Sequence, residues 1–128
     1  MDITSIAASE RPVEINHPGT GEPIGLRVTL RPESDPEVEA VRRKWLNEKL
    51  QRRSGRMTAE RLDELQVALI TAAATGWEWD GELTFNGDKP EFNPANLRKV
   101  LRALPWVKSQ LDEALGDEAA FFQKSEPS

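Results

Sequence analysis

The ten residues from His17 to Leu26 restrict this chain more than any others. Pro18 and Pro23 fix their own φ angles, and Gly19, Gly21 and Gly25 are free to take positive φ, so no helix can pass through the segment. Val13 and Ile15 alternate with polar neighbours before it, and Leu26, Val28 and Leu30 alternate after it. A period of two is that of half-buried strands. The sequence therefore predicts an N-terminal β-hairpin from Val13–Ile15 to Ile24–Leu30.

Beyond the hairpin the period changes to that of helices. Asp35 as N-cap and Pro36 at the first helical position open a helix, with Val38, Val41, Trp45, Leu46 and Leu50 on its apolar side. Glu37, Arg42, Arg43, Glu48, Lys49, Arg52 and Arg53 cover the rest, Glu39 and Arg43 are spaced for an i,i+4 pair, and acids first with bases last suit the helix dipole. Ser54-Gly55 is the expected stop. Thr58 caps a second helix with Glu60 in its first turn and a stripe of Leu62, Leu65, Leu69 and Ala72 or Ala73, widened by Val67 and Ile70. The small apolar run Ala68–Ala74 marks it as the central helix, and Gly76 is its expected end. Trp77-Glu78-Trp79-Asp80-Gly81 then leads into turn-rich chain. There Leu83–Phe85, Asn86-Gly87 and Phe92 suggest a short second hairpin, limited by Pro90.

Asn93-Pro94 opens a third helix through Leu97, Val100, Leu101 and Leu104. Pro105 interrupts or restarts the pattern, which Trp106, Val107, Leu111, Ala114 and Leu115 continue. The expected fold is mostly α (α+β): an N-terminal β-hairpin followed by a compact bundle of about four helices, with the short second hairpin as a further candidate. The 128 residues suit one domain, expected over residues 11–122, between a flexible N-terminus (1–10) and a flexible C-terminal tail (123–128).

The chemistry available is narrow. One histidine and no cysteine exclude disulfides and thiolate metal sites and leave few groups for acid–base or nucleophilic work. His17 lies in the turn with no second histidine or close acidic pair to complete a metal set, and Asp112-Glu113 and Asp117-Glu118 read as a solvated helix face. Gly19-Thr20-Gly21 lacks the Gly-Lys-Ser/Thr ending and the strand-to-helix setting of a phosphate loop. The chain is read as non-enzymatic, with no cofactor. A net charge of −5 argues against coating of nucleic acid. The absence of a signal-like start and of any apolar run near the roughly 20 residues of a membrane span argues for a cytoplasmic, non-membrane protein.

Three features remain as candidate contact sites. The basic run Arg42, Arg43, Lys44, Lys49, Arg52, Arg53 and Arg56 fits a solvated helix end, an acidic protein partner or nucleic acid. Trp77-x-Trp79 with Phe85 and Phe92 reads as core or as an interface hot spot. Phe121-Phe122 beside a polar tail must be buried somewhere, because each ring in water forgoes roughly 1.5–3 kcal/mol. Arg52, Arg53, Arg56, Phe121 and Phe122 are the candidate partner contacts.

The order of these features resembles the phage tail assembly chaperones. The resemblance is carried by the HP-x-TGEP-x-G turn of His17–Gly25, Gly76-Trp77 after an alanine-rich helix, the aromatic turn segment with Phe92, Asn-Pro-x-Asn at Asn93–Asn96, and the closing Asp117-x-x-x-Phe121-Phe122. It spans most of the chain. It implies a small acidic chaperone that holds the long helical tape measure protein soluble in the host cytoplasm while tail tube protein is recruited. No catalytic motif, cofactor or metal is carried over, and self-association is a further candidate. Some members are also made in a frameshifted, extended form. The alternatives are a small structural virion or head–tail joining protein and, further off, a basic-helix nucleic-acid adaptor.

Overall fold

Two β-rich segments that alternate apolar and polar residues can pair only if the chain between them reverses, and His17 organises that reversal. In the computed structural model, which describes residues 2–3, 6–51 and 58–122, β1 (Arg11–Asn16) and β2 (Pro23–Leu30) are antiparallel, with Val13 opposite Val28. The His17 N–H donates to the Glu22 carbonyl at 2.8 Å, and its Nδ1 accepts from the N–H groups of Gly19 (2.9 Å) and Thr20 (3.1 Å). Gly21 sits at φ 76°, where a side chain would be strained. Val13, Ile15, Leu26, Val28 and Leu30 are buried, so the predicted hairpin and its inward face are as the alternation requires.

The sheet has a third strand that the sequence reading missed. Helix α2 (Ala59–Ala73; α1 is Pro36–Gln51) stops at Ala73 and not at Gly76, and β3 (Ala74–Trp79) follows with no loop between. Ala74 is extended at φ −72°, ψ 132°, while its N–H still donates to the Ile70 carbonyl, so one residue both closes the helix and opens the strand. β3 pairs antiparallel with β2, Trp77 opposite Val28 and Trp79 opposite Leu26, giving the order β1-β2-β3. An isolated two-stranded hairpin is marginal in water; the third strand places Trp77 and Trp79 on the face that Leu26 and Val28 turn toward the helices.

Both outer strands carry a side chain against their free edge. The Gln110 amide accepts from the Asn16 N–H and donates to the Asn16 carbonyl, both at 2.8 Å, as a neighbouring strand would. On the other side Lys89 Nζ donates to the carbonyls of Trp79 (2.7 Å) and Gly81 (2.6 Å). Blocking an edge in this way discourages pairing with other chains. Gln110→Ala should lower stability by about 1–2 kcal/mol in urea titration, since two backbone groups lose their partner.

The helices start where their caps predict. Asp35 Oδ1 accepts from the Glu37 N–H (2.9 Å), Thr58 Oγ1 from Arg61 (3.1 Å) and Asn93 Oδ1 from Asn96 (2.8 Å). α3 (Pro94–Ala103) and α4 (Pro105–Gly116) meet at Leu104, so Pro105 restarts the pattern, and α5 (Glu118–Phe122) closes the described chain. The core joins the inner face of the sheet to Val38, Val67, Ile70, Leu97, Leu101, Leu111 and Phe121, with no buried polar residue among those described.

Three further expectations need correction. The Asn86-Gly87 turn forms, with φ 53° and 89°, but its arms make only the single bridge Phe85–Asp88, and Phe92 turns instead to the Trp77 ring. Leu46 and Leu62, read as members of buried stripes, are 52% and 46% exposed. Their spacing is helical, but spacing alone does not say which side of the helix is covered. Ahead of β1, a region expected to be loose, Ala8 packs on the core and the Ser9 N–H donates to the Phe121 carbonyl at 2.9 Å. Ser54-Gly55 lies outside the described residues.

Candidate interaction surface

Adjacent residues on a helix point about 100° apart, so two neighbouring phenylalanines cannot both face one core. α5 resolves Phe121-Phe122 accordingly: Phe121 is 1% exposed inside the core, and Phe122 is 43% exposed. As a free-surface contact residue Phe121 is therefore corrected to a core anchor, held by Leu115 and Ala8 nearby and with the Arg11 guanidinium 5.6 Å from its ring centroid. Phe122 remains available. It sits on the rim of a cleft of about 200 Å³ between α1, the loop before it and α5, lined also by Pro32, Glu33, Glu39, Arg42 and Leu115.

The basic candidates divide as well. Arg52, Arg53 and Arg56 lie outside the described residues. Within the described part of α1, Arg42 is paired with Glu33 at 3.0 Å, while Arg43 and Lys44 are exposed with no ion pair among the described residues. The i,i+4 pair expected between Glu39 and Arg43 is not formed. Trp45 is half-buried beneath the Arg61 guanidinium, 4.5 Å from its ring, and Arg61 also reaches Glu48 at 3.5 Å. That contact ties α1 to the start of α2 and explains why Trp45 is not a free aromatic.

Trp77 and Trp79 are packed more than presented. Their rings meet edge to face at 5.4 Å, Phe92 meets Trp77 likewise at 5.4 Å, and Trp77 Nε1 donates to the Pro90 carbonyl at 3.0 Å. The opposite face of the same strands is polar: Arg27 bridges Asp80 and Glu78 at 2.6 Å each. Hydrogen bonding to Arg27 holds the Asp80 carboxyl below the usual carboxylate range, against a smaller opposing effect of desolvation. A depressed folded-state value contributes stability above the unfolded pKa, near 3.9 for aspartate, and loses it as pH falls through the folded value. Unfolding curves followed from pH 5 to 2 should show this loss in the wild type and a smaller one in Asp80→Asn.

Among the described residues no group of three or more His, Cys, Asp and Glu side chains is placed to hold a metal ion, and no helix is long and apolar enough to cross a membrane. His17, the one histidine, has its Nδ1 engaged by the hairpin turn. Leu46 is exposed although helical spacing assigned it to the core, and Glu39 is exposed without the intrahelical pair that its spacing allows.

Comparison with protein-family models, with curated proteins and with solved structures finds no match to the chain.

Proposed function

We propose that the chain is a non-enzymatic phage tail assembly chaperone, which binds the tape measure protein in the host cytoplasm and helps recruit tail tube protein. The observation that carries this reading is the order of features along the sequence: the His17–Gly25 turn, Gly76-Trp77 after an alanine-rich helix, Asn93-Pro94-Ala95-Asn96, and Asp117-x-x-x-Phe121-Phe122. These residues are also joints of the fold. His17 closes the hairpin, Gly76-Trp77 lies just beyond the α2–β3 junction, Asn93 caps α3, and Phe121 anchors the C-terminus. A binding role suits a chain with one histidine and no cysteine, and an exposed apolar residue beside a cleft is the kind of surface that receives an amphipathic helix.

Co-expression with the tape measure protein of the same phage or prophage tests this. The wild-type chain should move the tape measure protein into the soluble fraction and co-purify with it, and Phe122→Ser should reduce both without unfolding the chain. A tape measure protein equally insoluble with and without the chain would refute the proposal.

A further inference from the structure

We propose that the outer face of α1 is a self-complementary surface on which a second copy of this chain docks antiparallel about a two-fold axis. Glu39, Arg42, Arg43 and Leu46 stand at i, i+3, i+4 and i+7, so they share one face. Leu46 is 52% exposed on that face, a large apolar knob with nothing over it among the described residues. The same face carries a hole, since Glu39 and Arg42 line the cleft of about 200 Å³ whose rim is Phe122 and whose inner wall is Leu115 and Phe121.

The charges specify the occupant. The first turn of α1 is acidic, with Glu37 and Glu39, and Arg42 and Arg43 follow. Glu39 and Arg43 are both exposed, and neither has an ion pair among the described residues although their spacing would allow one to the other. A second α1 laid antiparallel, with the two-fold axis near Val41, sets Glu39 of each copy against Arg43 of the other. The same register carries Leu46 of each copy opposite the start of its partner's α1, where the cleft opens. One rotation thus satisfies two charge pairs and two knob-and-hole contacts, which is what an isologous two-fold interface requires. Lys44 points to the other side of the helix and takes no part.

Sedimentation velocity on the full chain, at low and high salt, tests the proposal. Wild type should show the dimer mass, twice 14.4 kDa, at low salt and less of it as salt screens the pairs. Glu39→Lys alone and Arg43→Glu alone should each be monomeric, because each sets like charges together twice. An equimolar mixture of the two should recover the dimer, since both cross-pairs are then opposite in sign. Leu46→Glu should be monomeric, and Lys44→Glu should remain dimeric. All four positions changed are exposed, and circular dichroism melts should confirm unchanged folding. A monomeric wild type, a mixture that stays monomeric, or a Lys44→Glu chain as impaired as Arg43→Glu would overturn it. Both proposals draw on the cleft at Phe122, so a tape measure helix would displace the Leu46 of the second copy; the two are told apart because sedimentation of the chain alone reads self-association, whereas co-expression reads tape measure binding.

Discussion

Phe121→Ala should destabilise the chain by about 3–5 kcal/mol, a large part of the roughly 5–15 kcal/mol that holds a domain of this size folded. The ring is 1% exposed in the core and borders the cleft with Leu115 and Ala8. Its loss leaves a cavity that its neighbours would have to fill. The Arg11 guanidinium over the ring and the Ser9 N–H on the Phe121 carbonyl would lose their anchor as well. Phe122→Ala, one residue on and 43% exposed, should cost less than about 1 kcal/mol. Urea titration of the two single variants reads the contrast directly. Equal, small losses for both would mean that α5 does not pack as described.

Trp77→Ala should be the second severe change, at about 3 kcal/mol, because the indole makes two edge-to-face ring contacts at 5.4 Å and a 3.0 Å hydrogen bond to the Pro90 carbonyl. Trp77→Phe should recover most of this, retaining ring contact and losing the hydrogen bond. The effect bears on topology: Trp77 sits opposite Val28 in β3, so its loss should also increase amide exchange along β2 at Val28 and Thr29. If exchange rose only in the Asn86-Gly87 turn and not in β2, the third strand would not be held by this cluster.

The parts of the fold that rest on local chemistry were legible in the sequence. Pro18, Gly19, Gly21 and Pro23 force a reversal whatever surrounds them, and Asp35, Thr58 and Asn93 supply side-chain oxygens where helix N–H groups lack partners. The third strand was not legible in the same way. Ala68–Ala74 favours helix, and the termination at Ala73 is imposed by pairing with β2, a contact between residues far apart in sequence. The alternation of Trp77 and Trp79 with Gly76 and Glu78 was the available signal. Exposure was the other blind spot. Leu46 and Leu62 fall at core spacing, but periodicity cannot tell which apolar positions a neighbouring element covers, and both are exposed. Of the five candidate contact residues, the structure separates Phe121 from Phe122 by helix geometry alone, and the three arginines are outside what it describes.

The proposal that the chain is a tail assembly chaperone is tested most directly by quantitative mass spectrometry. On that proposal the chain would be measured against tape measure and tube proteins, both in assembly intermediates and in purified tails. A tail assembly chaperone should be found with the tape measure protein before the tube is complete and be absent from finished tails. A fixed, stoichiometric number of copies in finished tails would contradict the chaperone proposal and make the chain a structural virion protein.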